Sequence, residues 1–355
     1  MAMISFHKVS FFYRDPFHPV FNGLTLSFDT DWKTGLVGRN GRGKSTFLKL
    51  LAGSLQPREG SLLTPAGFSP LAFPFPVPDT GHAARDIIKE SIAPFSFWEE
   101  EMRRCLMKGT PEDLTRYGEV EALYSQFNGY TMDAAVLREG ALLGLSEELL
   151  HRPFKTLSGG EQTKSQILAL FLHPAPFPLI DEPTNHLDMD TRSCIASYLR
   201  SKKEGFLVVS HDRAFLDDAI DHIVALNREE TRLYHGNYSV YHREKMRRDQ
   251  MEREKNSRLK KEIRRLTESS RAKEGWSFKK EKEKIGSGDK GAVGAQAARL
   301  MKRSLIIRRR ARLCQEEKEG LLKNIDTPAP LKIHVPASLP AHILTVADLS
   351  VAYGD

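Results

Sequence analysis

Hydrophobic and polar positions change period several times along the chain. Residues 4–13 partly alternate and are rich in β-formers, so a strand is expected. Leu24 to Phe28 alternates cleanly, and Asp29-Thr30-Asp31 supplies a turn before a third short strand, Gly35-Leu36-Val37. From Thr46 to Ala52 the apolar spacing becomes helical and Gly53 closes it. Between 65 and 80 five prolines (Pro65, Pro70, Pro74, Pro76, Pro78) exclude a helix and, with Phe73 and Phe75, predict a stiff aromatic loop. Helical spacing returns from Thr80 to about Leu150, carried by Ala84, Ile87 and Ile88, then by Leu137, Ala141, Leu142 and Leu145. Its acidic runs, Glu99-Glu100-Glu101 and Glu147-Glu148, read as solvated faces. Leu179-Ile180 and Phe206 to Val209 are short apolar runs of the kind buried on both faces of a sheet.

Beyond Tyr241 charge dominates, with sparse apolar residues at Leu259, Ile263 and Leu266. The stretch Gly286 to Gly294 is expected to break any helix. After it Ala297, Leu300, Ser304, Ile307, Ala311, Cys314 and Leu321 recur at three- and four-residue steps, a seam for a partner helix. The pattern predicts an antiparallel helical hairpin over 241–325 with a glycine-rich tip and a small, partly polar seam.

Composition sharpens this picture in two places. The net charge is +7, yet residues 241–325 alone hold 27 Lys/Arg against 13 Asp/Glu, which leaves the rest of the chain acidic. So concentrated an excess usually meets a polyanion, although a solvated helical spacer would also carry it. Cys105, Cys194 and Cys314 are far apart and in no C-x-x-C spacing, which argues against disulfides and zinc and for a reducing cytoplasm. No apolar run approaches the ~20 residues of a membrane span, and Met-Ala-Met-Ile-Ser-Phe-His does not read as a secretory signal.

Candidate chemistry begins at Gly38-Arg39-Asn40-Gly41-Arg42-Gly43-Lys44-Ser45, which fits the G-x-x-x-x-G-K-[ST] phosphate loop between a strand and a helix that starts near Thr46. Its glycines let backbone N–H groups turn in around phosphate oxygens, and the helix start adds a positive dipole end. Lys44 would reach the β- and γ-phosphates of a nucleotide and Ser45 would hold Mg²⁺. Ser158-Gly159-Gly160-Glu161 opens a helix as a capping box, and the same geometry makes an anion site suited to a γ-phosphate. Asp181, at the end of an apolar strand, suits Mg²⁺, and Glu182 beside it would orient or deprotonate a water. Ser210-His211-Asp212 ends another apolar strand. Tyr13 either stacks on a base or is a strand-end core residue.

Phosphate loop, Leu157-Ser158-Gly159-Gly160-Glu161-Gln162, Asp181-Glu182 and His211, in that order, resemble an ATP-binding cassette (ABC) nucleotide-binding domain. The wording Asp-Glu-Pro-Thr-Asn-His-Leu-Asp at 181–188, with Ser-His-Asp-Arg-Ala-Phe-Leu-Asp at 210–217, resembles the ABC-F family of tandem-cassette proteins that act on ribosomes. Asp29-Thr30-Asp31-Trp32-Lys33 running into the phosphate loop is similar to its antibiotic-resistance subgroup. The resemblance implies an α/β P-loop core with a mixed sheet (1–240), a helical subdomain inserted at about 80–155, and a helical hairpin linker. It implies ATP and Mg²⁺ as cofactors, Tyr13 as the adenine-stacking residue, Ser45 and Asp181 as Mg²⁺ residues, Glu182 as the hydrolytic glutamate and His211 as the γ-phosphate switch. Ser158 and Gly160 would meet nucleotide held by a different cassette, either a second one or a second copy.

The implied partner is the ribosome, its RNA and tRNA. Lys290, Arg299, Lys302 and Arg303 face that RNA by the resemblance, and Trp276 and Phe278 offer stacking among basic residues. The sequence departs from the cassette pattern at Phe73-Pro74-Phe75-Pro76, where Phe75 stands in place of an expected glutamine, and at Pro178, which falls inside the strand leading to Asp181. Ile343 to Tyr353 echoes Ile4 to Tyr13, so residues 333–355 are expected to begin a second, truncated cassette. Three other functions fit parts of the pattern. A housekeeping translation factor of the same family and the energy subunit of a membrane transporter are two of them. The third is a DNA-repair ATPase, disfavoured by a short insert without paired cysteines.

Overall fold

The computed structural model describes residues 2–14, 17–77, 80–174, 177–227, 230–283 and 290–321. Two sheets form the base. Strands β1 (Met3–Tyr13), β2 (His18–Asp29) and β4 (Glu59–Leu63) make an antiparallel sheet of order β2-β1-β4. The second sheet runs β5 (Pro70–Phe73), β6 (Phe177–Asp181), β7 (Phe206–Val209), β3 (Lys33–Gly38), β8 (His222–Leu226), β9 (Thr231–His235). It is parallel except for the β8–β9 edge.

The central strands are buried on both faces, which is why they read as short apolar runs rather than alternations. Leu36, Leu179, Leu207 and Val209 pack on one side with β1, β2 and helix α1 (Lys44–Leu51). Val37, Ile180 and Val208 pack on the other with the helices that follow. Pro178 fits because β6 pairs with β7 only from Leu179 onward, so the missing N–H falls before that ladder begins. Among the described residues of 65–80 there is no helix, as the prolines require, but Pro70–Phe73 is an added parallel strand rather than loop. Proline is the first residue of that strand and β5 is the sheet edge, the two places where a lost donor is tolerated.

Between β5 and β6 lie α2 (Ala84–Ile92), α3 (Phe95–Lys108), α4 (Pro111–Gln126), α5 (Gly129–Leu142), α6 (Glu147–His151), a 3-10 turn (Phe154–Thr156) and α7 (Gly159–Leu172). The inward face of α5 is not the one expected. Met132, Val136 and Gly140 are buried, while Leu137, Ala141 and Leu142 are exposed. Two apolar registers run along this helix; the buried one packs on α7 and carries the small Gly140, where a Cβ would lie 3.3 Å from Leu150 Cδ1 of α6. The acidic run at 99–101 is not simply solvated either: Glu101 is buried between Arg104 and Arg116, and Glu99 accepts from the Tyr124 hydroxyl at 2.9 Å.

Helices α8 (Met189–Ser201) and α9 (Arg213–Ala219) complete the cassette, and α10 (Tyr238–Glu283) and α11 (Lys290–Leu321) form the hairpin. The hairpin starts three residues before 241, because Tyr238 and Tyr241 seat its base on Tyr234 and the core. Helix α11 already begins at Lys290, so Gly291 and Gly294 are helical; pairing with α10 overrides their weak propensity. Leu259, Leu266, Asn256 and Ser270 are buried on α10 and Ser304 on α11, with Leu300, Ile307, Ala311 and Cys314 half-buried beside it. The expected glycine-rich tip at 284–289 and the expected start of a second cassette at 333–355 lie outside the described residues, as do the side chains of Phe278 and Lys290. Among the described residues, no helix is long and apolar enough to cross a membrane.

Candidate nucleotide site

The phosphate loop turns from β3 into α1 at Gly43, whose φ of 88° places it in the left-handed region. A Cβ there would sit 2.4 Å from Val20 Cγ1 and 2.9 Å from the Phe21 ring, so glycine is required by torsion and by space. Lys44 folds back and donates from Nζ to the Gly38 carbonyl at 2.9 Å. Burial lowers its pKa, against the pull of Glu182 and Asp181. Arg42 closes the loop, its N–H donating to the Arg39 carbonyl at 3.1 Å.

The end of β6 carries the acidic pair. Burial raises the pKa of Asp181, and Lys44 and the Ser45 hydroxyl, which bonds to it, hold the rise back. Glu182 has φ of 51°, and its N–H is held by the Val209 carbonyl at 2.8 Å, which swings the carboxylate towards the exit of β7. There the backbone N–H of His211 donates to Glu182 Oε2 at 3.3 Å, and His211 Nε2 stands 3.2 Å from Oε1. That approach is at ion-pair distance without hydrogen-bond alignment, so the buried Oε1 makes no hydrogen bond among the described residues. The turn beyond is stapled beneath by Thr184 and Ser210, whose buried hydroxyls lie 2.9 Å apart.

These groups share one pocket of 590 Å³. It is lined by Tyr13, Asn40, Gly41, Gly43, Lys44, Ser45, Thr46, Asp181, Glu182 and His211, together with His18, Val20, Pro74 and Asn185, which carried no sequence motif of their own or were passed over inside one. Gly38, Arg39 and Arg42 belong to the loop but do not line the pocket. Tyr13 stands at the rim, part exposed, its hydroxyl 3.2 Å from Thr46 Oγ1, so it is not a buried strand-end tyrosine. Ser158, Gly159, Gly160 and Glu161 lie elsewhere. Ser158 caps α7, Glu161 completes the capping box at 2.7 and 3.3 Å, and none of the four lines this pocket.

The donor set fits a magnesium nucleotide. Ser45 and Asp181 offer hard oxygens, the loop offers backbone N–H groups and a lysine, and Glu182 leaves a buried acceptor without a hydrogen bond in the pocket wall. A larger cavity, 740 Å³, lies between β5, α2 and α7 and is mostly apolar; Phe75 turns into it, while Pro74 faces the nucleotide pocket.

Comparison with known proteins agrees with the geometry. The profile of the ABC transporter family matches residues 21–185. The uncharacterized ABC transporter ATP-binding protein YkpA of Bacillus subtilis is 30% identical over 313 residues, 80% of this chain and 54% of that protein. The energy-dependent translational throttle protein EttA of Mycobacterium tuberculosis is 30% identical over 254 residues, 70% of this chain and 45% of that protein. The ABC transporter F family member 5 of Arabidopsis thaliana is 30% identical over 245 residues, 62% of this chain and 34% of that protein. The chain spans between about a third and just over half the length of the curated relatives it matches. Phosphate loop, acidic strand end and sheet order, taken with the matched profile, identify an ABC ATPase domain in this chain.

Proposed function

We propose that this chain is an ABC-F-type ATPase that binds the ribosome through its basic hairpin and protects the peptidyl-transferase region from antibiotics. The observation that carries the reading is the outer surface of α11. Arg299, Lys302 and Arg303 are exposed there and make no ion pair or hydrogen bond to any described residue. Some other cations of the hairpin are internally matched, Arg264 to Glu268, Arg310 to Glu262 and Lys255 to Glu317, while Lys260, Lys261 and Arg265 on α10 are, like the α11 group, without a partner among the described residues. Trp276, 60% exposed on α10, offers a stacking face for a base. The relatives named for translation and for the F family support the same reading.

In this mechanism the phosphate loop and Lys44 bind the triphosphate, Tyr13 stacks on the base, and Ser45 and Asp181 hold Mg²⁺, which would neutralise charge developing on the phosphates. Glu182 takes a proton from the attacking water while His211 fixes the carboxylate. Ser158 and Gly160 act on nucleotide held by another cassette, so hydrolysis by this chain alone is weak and rises faster than linearly with its concentration.

The test is co-sedimentation of the Glu182→Gln chain with ribosomes. ATP-dependent pelleting that disappears when Arg299, Lys302 and Arg303 are changed to Glu is the expected result. Pelleting that ignores both the nucleotide and the three substitutions rejects it. Drug susceptibility of cells making the protein then separates antibiotic protection from a housekeeping translation role. The apolar 740 Å³ cavity at β5, α2 and α7 favours a second reading, an energy subunit docked on a membrane partner. ATP-sensitive co-purification with a permease would favour it over the first.

A further inference from the structure

Strand β2 brings two residues of different chemistry to the nucleotide pocket. Val20 presses on the phosphate loop, since a Cβ on Gly43 would lie 2.4 Å from its Cγ1, and it offers no hydrogen bond. His18, two residues earlier, lines the same pocket. It is the antiparallel partner of Tyr13 on β1, and partners directly opposite each other project to one face. Phe12 precedes Tyr13 and so turns to the other face, where it meets the Phe17 ring with centroids 5.4 Å apart. Tyr13 and His18 thus stand side by side at the pocket rim. The Tyr13 hydroxyl is engaged, 3.2 Å from Thr46 Oγ1. The His18 imidazole is exposed and makes no hydrogen bond or ion pair to any described residue. A ring that carries a donor and an acceptor when neutral is therefore left unengaged beside the tyrosine.

In the ATPase reading above, on which this inference rests, the base lies on Tyr13 and the triphosphate in the loop that begins at Gly38. The sugar then crosses the space between Tyr13 and Gly43, and β2 borders that space from His18 to Val20. Val20 can only keep water from it, whereas His18 can bond to it. We propose that His18 is a specificity-determining residue of the nucleotide site, its imidazole hydrogen-bonding a ribose hydroxyl and so selecting ribonucleotides over deoxynucleotides. The ring is carried on a paired strand end rather than on a loop, so little order has to be gained when the sugar arrives. Its exposure keeps the effect modest: a rim contact exchanges a bond to water for a bond to the ligand.

The experiment uses the full chain, wild type and with His18→Ala, His18→Phe or His18→Gln, with thermal melting as the control for folding. Affinities for ATP, 2′-deoxy-ATP, 3′-deoxy-ATP and tripolyphosphate, each with Mg²⁺, are measured by isothermal titration. The wild type should bind ATP roughly 3- to 10-fold more tightly than at least one of the deoxynucleotides, the range for one net hydrogen bond. His18→Ala should lose that preference while its affinity for tripolyphosphate stays within about twofold of wild type, because the phosphates are held by the loop. His18→Phe keeps a flat ring without the hydrogen bond and should lose the preference as well. His18→Gln keeps a donor and an acceptor and should recover part of it. A wild type that binds ATP and both deoxynucleotides equally, or a His18→Ala chain that keeps the wild-type preference, overturns the assignment and leaves the ATPase reading intact. A wild type that binds ATP no more tightly than tripolyphosphate and releases no phosphate from it overturns both.

Discussion

Both carboxylate oxygens of Glu182 face His211: the backbone N–H donates to Oε2 at 3.3 Å and the ring Nε2 stands 3.2 Å from Oε1. The backbone contact survives any side-chain change, so the two residues should not fail equally. Glu182→Gln should lower ATP turnover by about 10²–10⁴-fold, the range for losing a general base, with nucleotide binding retained. His211→Ala should cost less, since one oxygen stays held. Phosphate release and analogue binding on the same preparations measure both, and an equal loss in the two variants would contradict the division of labour.

Tyr13 offers two interactions that substitution can separate. Tyr13→Phe removes only the hydroxyl contact to Thr46 Oγ1, whereas Tyr13→Ala removes the ring. Stacking on a base is worth ~1–3 kcal/mol, so Tyr13→Ala should weaken nucleotide affinity by roughly 5- to 150-fold and Tyr13→Phe by far less. Loss of discrimination between ATP and bare triphosphate should accompany the first variant only.

Asp181 is held in the fold with a raised pKa because burial disfavours its charge, only partly offset by Lys44 and Ser45. A raised carboxylate stabilises the fold below its unfolded pKa and loses that contribution as pH rises through the folded value. At neutral pH the ionised group is therefore a cost in the nucleotide-free protein. Asp181→Asn should raise the melting temperature at pH 7, by less at pH 4, and should remove the added stability that Mg²⁺ with nucleotide gives the wild type.

Glu139 on α5 has the opposite sign. Burial pushes its pKa up, but the hydrogen bond and charge of Lys202, with Arg138 and Tyr198, outweigh it and leave the pKa lowered. Lys202 follows α8 directly and also lies over the Tyr198 ring at 4.1 Å, so this pair ties the helical insert to the core. Glu139→Gln should cost about 1–3 kcal/mol at pH 7, the penalty for leaving a largely buried partner without its counter-charge. The difference from wild type persists above the ordinary carboxylate range and shrinks as pH falls below 4.5 through the folded value. Urea unfolding at pH 7 and pH 4 reads it.

These contrasts mark what the residue order alone could reveal. The phosphate loop, the capping box at Ser158 and the acidic end of β6 are local: each needs only neighbours in sequence to make its geometry, and each was legible. The buried face of α5 was not, because Leu137 with Leu142 and Met132 with Val136 are both plausible stripes until α7 is in place. His18 and Pro74 reach the pocket from separate strands and turns, and nothing in their immediate sequence says that these will meet, whereas Asn185 follows Glu182 by three residues in the same run. Pro74 could be marked as a departure from a pattern, but not as a wall of the site.

The hairpin seam supplies the last test. Ser270 and Ser304 are buried opposite each other with hydroxyls 2.9 Å apart, a polar layer in a seam that otherwise buries little more than Leu259 and Leu266. Each hydroxyl also reaches the other serine's backbone carbonyl, at 3.4 and 3.3 Å, so removing one hydroxyl costs its partner the shared bond, about 0.5–1.5 kcal/mol, and removing both loses that bond only once. Ser270→Ala and Ser304→Ala should each lower the stability of the hairpin, and the double variant should be less unstable than their sum. Because the layer sits between Trp276 and the base of the hairpin, single variants should also loosen amide-exchange protection on α10 and α11 while leaving the β3 and β6 amides unchanged. Uniform loss across both regions would mean that the hairpin and the cassette unfold as one unit.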